Sequence, residues 1–124
     1  MKKMLVVEDD DLSQKVLIRL FKNSFEIDTV ESVEEFYQKY NGTNYDIIIM
    51  DIALRGIKHG LELTREMRSS KIYKTTPILC LTAHALLKDK TMAIDSGVDI
   101  YMTKPVSNKI LKDTVFRMIK EKTE

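Results

Sequence analysis

Apolar residues along this chain follow two alternating rhythms, short unbroken runs and longer stretches that repeat every three to four residues. Met4-Leu5-Val6-Val7, Ile47-Ile48-Ile49-Met50 and Ile78-Leu79-Cys80-Leu81 are unbroken runs, the pattern of strands buried on both faces of a parallel sheet. Phe25 to Val30, with Ile27 and Val30 as its apolar members, and Val98 to Met102 read as two further strands. Between them the period changes. From Leu12 a helix is predicted with Val16, Leu17, Leu20 and Phe21 on one face and Lys15, Arg19 and Lys22 away from it. Ser32 followed by Glu35 is a capping box that opens a helix through Phe36, Tyr37 and Tyr40, and Asn41-Gly42 stops it. Leu61 to Arg68 is the next, with Leu61, Leu63 and Met67 inward, followed by a polar link to Pro77. Leu86 to Ser96 is closed by Gly97, and Asn108 to about Lys122 turns Leu111, Thr114, Val115 and Met118 inward, with Phe116 off that face. Strand and helix thus alternate through the whole chain, which predicts an α/β fold with a parallel sheet.

Composition narrows the picture. At 124 residues the chain reads as one domain, able to bury roughly two-thirds of its unfolded surface. Its 20 basic residues nearly balance 19 acidic ones, so no net field draws it to nucleic acid or acidic lipid. The single cysteine, Cys80, cannot close an internal disulfide and points to a reducing compartment, which with the lack of a membrane-length apolar run or a signal peptide predicts a cytoplasmic domain. Cys80 in a core strand reads as inert packing, and the scattered methionines as core filling.

In a parallel α/β sheet the chemistry gathers outside the carboxyl ends of the strands. Four strand ends here deliver reactive side chains: Glu8 and Asp9, then Asp51, then Thr82, then Lys104. Taken singly each has a plain reading. The acids after the first strand serve as a helix cap and dipole complement, Asp51 as another cap, and Lys104 as a solvated lysine before Pro105. Together they are harder to dismiss. If Glu8, Asp9 and Asp51 converge, each pair about 4 Å apart costs on the order of 4 kcal/mol at an effective dielectric of about 20. Such a cluster calls for a counter-charge, and oxygen donors without histidine or cysteine suit a hard divalent ion such as Mg²⁺. Lys104 adds a second, fixed positive charge, so a phosphoryl group on a carboxylate could be held here.

The pieces Leu5-Val6-Val7-Glu8-Asp9-Asp10, Ile48-Ile49-Met50-Asp51, Leu81-Thr82-Ala83 and Tyr101-Met102-Thr103-Lys104-Pro105, in this order and spacing, resemble the response-regulator receiver domains of two-component signalling. The likeness covers essentially the whole chain. It implies a doubly wound, flavodoxin-like five-stranded sheet of order 2-1-3-4-5 with five helices. It also implies that residues 1–124 form a single receiver domain, a phosphoacceptor and not an enzyme beyond its own phosphoryl transfer and autodephosphorylation. On the same basis Asp51 is the nucleophile, and Mg²⁺ is held by Glu8, Asp9, Asp51 and the backbone carbonyl of Ala53. Lys104 and Thr82 hold phosphoryl oxygens, the N–H groups of Ile52 and Ala83 complete the cradle, and Pro105 is cis. Thr82 and Tyr101 form the switch, Tyr101 turning inward as the hydroxyl of Thr82 moves to the phosphate. His84, like Ala53, stands where family members tune phosphate lifetime, although a plain surface histidine is the equal alternative. His59 reads as an ordinary loop residue.

The expected partners are a sensor histidine kinase or histidine phosphotransfer protein and a downstream target on the face of the fourth helix, fifth strand and fifth helix. The resemblance leaves open a homodimer on phosphorylation. A receiver piece of a larger hybrid kinase or regulator is the alternative within the family, and a phosphorylation-independent interaction module the one outside it. A haloacid-dehalogenase-type phosphatase is disfavoured by Ala53, where it needs a second aspartate. A flavin carrier is disfavoured by Glu8-Asp9-Asp10-Asp11, which would repel the flavin phosphate. The loop Ile52 to Gly60 departs from the family pattern, with Arg55 at a common proline position and one extra residue, and is expected to bulge beside the metal.

Overall fold

The computed structural model describes residues 1–54 and 59–123. Its elements run β1 (Lys2–Val7), α1 (Asp11–Phe21), β2 (Phe25–Val30), α2 (Val33–Lys39), β3 (Ile47–Met50), α3 (Gly60–Arg68), β4 (Ile78–Thr82), α4 (Leu87–Ser96), β5 (Ile100–Thr103) and α5 (Asn108–Thr123). The five strands form one parallel sheet in the order β2-β1-β3-β4-β5.

The unbroken apolar runs are explained by burial on both sides. Ile48 and Met50 join Leu5, Val7, Ile78 and Cys80 under Phe36, Leu63, Met67 and Ala93 of α2, α3 and α4. Ile47 and Ile49 join Met4, Val6, Leu79 and Leu81 under Leu17 and Phe21 of α1 and Leu111, Val115, Met118 and Ile119 of α5. Each such side chain contributes about 1.5–3 kcal/mol by leaving water, so the period-two alternation within β3 fixes which helices cover which face. Asp46 pins the register of the central pair: its carboxylate accepts from the Lys3 N–H at 2.8 Å and its own N–H donates to the Lys3 carbonyl at 2.8 Å.

Some elements differ from the expectation. β5 begins at Ile100 rather than Val98, because the Val98 N–H bonds the Ala93 carbonyl in the C-terminal turn of α4 and the Asp99 N–H bonds the Ile78 carbonyl. The Val98 donor is thus committed to α4, and the Asp99 N–H makes the first bond to β4. Val16 is 47 % exposed instead of buried, since the stripe of α1 centres on Leu17 and Phe21 and leaves Val16 on the groove toward α5. Leu20, Ile27 and Leu61 are only partly buried at the edges of the two cores. Phe116 is 43 % exposed but stacks on Phe25 at 5.8 Å and meets Phe21 edge-on at 6.4 Å, so it is half-buried in an aromatic cluster. The expected bulge at Arg55 to Lys58 lies outside the described residues.

Candidate functional site

In-register pairing sets the strand ends side by side: Val7 faces Val30 and Met50, Met50 faces Cys80, and Thr82 faces Thr103. The ladder continues one step past the strands, with the Glu8 N–H on the Val30 carbonyl at 3.0 Å, the Asp51 N–H on the Val7 carbonyl at 2.9 Å, and the Lys104 N–H on the Thr82 carbonyl at 2.8 Å. The backbone therefore aims Glu8, Asp51 and Lys104 at one place above the sheet.

Carboxylate oxygens of Glu8, Asp9 and Asp51 all lie within 4.8 Å of one another. Glu8 is 3 % and Asp51 7 % exposed. The Lys104 ammonium makes a close ion pair with Glu8, stands 3.8 Å from Asp51 Oδ2, and donates to Ser13 Oγ at 3.3 Å. Burial pushes the Glu8 carboxyl above its ordinary range, the hydrogen bond from Lys104 opposes this, and the neighbouring Asp51 charge reinforces it. Two of the three carboxylates, Glu8 and Asp51, share the Lys104 ammonium, and every acidic donor is a hard oxygen, which is the donor chemistry of Mg²⁺ or a similar ion.

The other expected positions fall around this cluster. Asp51 Oδ1 accepts from the Ala53 N–H at 2.9 Å, an Asx-type turn that turns the chain at once away from the strand. Ile52 is buried, Ala83 exposed, and the Lys104–Pro105 peptide is cis. Thr82 is fully buried, and its hydroxyl oxygen accepts from the His84 N–H at 3.3 Å. The Tyr101 hydroxyl donates to the His84 carbonyl. His84 is thus tied by its backbone to both Thr82 and Tyr101 while its residue stays exposed. His59 bonds the Leu54 carbonyl through Nδ1 at 3.0 Å and precedes α3.

Of three supporting residues, the sequence reading reached one only as part of a run of acids suited to a helix cap, and the other two not at all. Asp10 caps α1, its carboxylate accepting from the Ser13 N–H at 2.8 Å, and Asp11 stands in the first turn, so the acidic run divides into two cluster members, a cap and a first-turn residue. The Asp10-x-x-Ser13 spacing carries that signal. Gln14 donates its amide to the Glu8 carbonyl, which nothing in its sequence position announces. Gly60, at the first position of α3, approaches so closely that a Cβ there would lie 2.2 Å from the Asp51 carbonyl oxygen. A glycine opening a helix instead of closing one was the available hint.

The model of the response regulator receiver domain family matches residues 4–116. The chain belongs to that family. Receiver domains are the phosphoaccepting modules of two-component signalling. The hybrid signal transduction histidine kinase I of Dictyostelium discoideum is 36% identical over 121 residues, 91% of this chain. The response regulator ArlR of Staphylococcus saprophyticus is 30% identical over 125 residues, 100% of this chain. This receiver domain spans 7% of the first protein's length and 55% of the second's. Among solved structures, the receiver domain of the sensor histidine kinase PA1611 from Pseudomonas aeruginosa superposes with a TM-score of 0.86 at 28% identity, covering 96% of this chain and 98% of that one. That structure carries a magnesium ion coordinated in its active site cleft.

Proposed function

We propose that this receiver accepts a phosphoryl group on Asp51 from a phosphohistidine partner, with Mg²⁺ at the acidic cluster, and changes its partner-binding surface in response. The observation that carries this reading is the convergence of Glu8, Asp9, Asp51 and Lys104 within one pocket at the carboxyl edge of the sheet. Glu8, Asp9, Asp51 and the carbonyl of Ala53 would hold the metal. When bound, the ion neutralises charge on the phosphoryl oxygens.

The chain's own residues do the rest. An Asp51 carboxylate oxygen attacks phosphorus, the P–N bond to the donor imidazole breaks, and the nitrogen keeps the electron pair and takes up a proton. Lys104 turns toward a phosphoryl oxygen as a point charge, 3.8 Å from Asp51 Oδ2 at the outset. The Thr82 hydroxyl and the N–H groups of Ile52 and Ala83 donate to the remaining oxygens. Phosphorylation replaces the single charge of the Asp51 carboxylate with a phosphoryl group that carries nearly two negative charges and three strong acceptors. The Thr82 hydroxyl, now accepting from His84, would be drawn toward them, and Tyr101, tied to the same residue, would follow inward. The altered face is that of α4, β5 and α5, where the output partner docks. The phosphate's lifetime is open to tuning at Ala53 and His84.

The test is incubation with Mg²⁺ and either acetyl phosphate or a phosphorylated histidine domain, read by intact mass. One phosphoryl group should be gained by the wild type and by none of the Asp51→Ala protein. An unmodified wild type with every donor overturns the reading in favour of a phosphorylation-independent interaction module.

A further inference from the structure

Lys104 has three N–H donors to place, and the described residues give it two acceptors: Glu8 and the Ser13 hydroxyl at 3.3 Å. Asp51 Oδ2, at 3.8 Å, is an ion-pair partner beyond hydrogen-bond reach. The lysine therefore rests on a carboxylate that belongs to the metal cluster and on a neutral oxygen that does not. Ser13 is fixed in its own right. It lies in the first turn of α1, its N–H held by Asp10 at 2.8 Å, and it lines the groove of about 250 Å³ that Lys104 and Pro105 close from the other side. A cation at a helix N-terminus is opposed by the helix dipole, so an oxygen aimed at the ammonium there does specific work against that field.

We infer that Ser13 is a positioning residue for phosphoryl transfer, holding the Lys104 ammonium when Glu8 turns to the metal and so keeping it aimed at the phosphoryl group on Asp51. This rests on the phosphoacceptor reading above. The two acceptors of Lys104 differ in what metal binding does to them. Glu8 would be among the residues that hold the ion, which would draw electron density away from its bond to the lysine, whereas the Ser13 hydroxyl stands outside the cluster. Without Ser13 the ammonium keeps only the acceptor that weakens at the moment of reaction.

The experiment compares wild type, Ser13→Ala and Ser13→Thr in three measurements: the phosphorylation rate with acetyl phosphate at saturating Mg²⁺, the affinity for Mg²⁺ alone, and the affinity for beryllofluoride, a phosphoryl mimic, in the presence of Mg²⁺. Losing one hydrogen bond to a charged group should slow phosphorylation and weaken beryllofluoride binding roughly three- to tenfold in Ser13→Ala. Mg²⁺ affinity should stay at the wild-type value, and Ser13→Thr should restore both losses. Equal phosphorylation rates for Ser13→Ala and wild type overturn the inference. So does a parallel fall in Mg²⁺ affinity, or a Ser13→Thr protein as slow as Ser13→Ala, because each marks a general disturbance of α1. A wild type that takes no phosphate is a separate result, which removes the phosphoacceptor reading itself.

Discussion

Cys80 shows how burial decides what a single side chain can do. It sits in β4 with no solvent exposure, one strand away from the acidic cluster. Burial pushes its thiol up to about 12, and the Asp51 charge adds to the shift. The thiolate is the reactive form, so the folded protein should alkylate with iodoacetamide at least roughly a hundredfold more slowly than the urea-unfolded chain at the same pH. Equal rates in the two states would mean that β4 opens freely. The reading of Cys80 as packing was available from its place in an apolar run. The pairing of Lys104 was not. Strand order sets Lys104 at the end of β5, two strands from Asp51, and whether its ammonium rests on Glu8 or on Asp51 depends on side-chain lengths and on Ser13 of α1.

At the scale of the element, α2 shows a sequence signal that forms with a variation. Ser32 Oγ accepts from the Glu35 N–H at 3.1 Å as a capping box requires, but Glu35 reaches back to the Glu31 N–H at 2.7 Å, one residue before the cap. That backbone hydrogen bond, then the one from Lys39, lowers the Glu35 carboxyl below its usual range. A folded-state value below the unfolded one gives stability that is present above the unfolded glutamate range and lost as pH falls through the folded value. The thermal midpoint of the wild type should therefore exceed that of Glu35→Gln near neutral pH. The margin should shrink as the pH drops below the ordinary glutamate range, and a margin that grows with acidity would contradict this sign. The effect is modest because the Glu35 side chain is partly exposed and screened. Boundaries were less legible than caps. Val98 reads as strand by its β-branching, yet its N–H closes α4, and only the competition for that donor sets the boundary.

Across the whole molecule the two ends of α4 are held differently. At its C-terminus, Arg68 of α3 donates to the Gly97 carbonyl at 2.8 Å, to the Tyr73 and Thr76 carbonyls at 2.8 and 2.7 Å, and to Asp99 at 3.0 Å. Gly97 suits this twice over, with a φ of 117° and with Arg68 Cγ only 2.6 Å from where a Cβ would stand. At the N-terminus Leu86 offers no side-chain cap, and the preceding turn is tied to β5 through Tyr101 and to Thr82 through His84. The end without a side-chain cap is the end wired to Thr82 and Tyr101. Crystals with and without beryllofluoride should show Tyr101 in different rotamers in the wild type and in one rotamer in Thr82→Ala. An unchanged Tyr101 in the wild type would sink the switch.

The order of apolar runs and periodic stretches by itself determined a parallel α/β layer structure. It also placed Glu8, Asp9, Asp51, Thr82 and Lys104 at strand ends, because burial on both faces leaves a strand only its ends for polar chemistry. Tertiary structure alone decided the particular contacts: the ammonium shared by Glu8 and Ser13, the close approach of Gly60 to the Asp51 backbone, and the acceptors gathered by Arg68 at the end of α4. Several of these contacts link segments remote in sequence, Lys104 to Glu8 and Ser13, and Arg68 to Gly97 and Asp99. Local periodicity reports which face of an element is buried, and it carries no information about which particular atoms of another element meet that face.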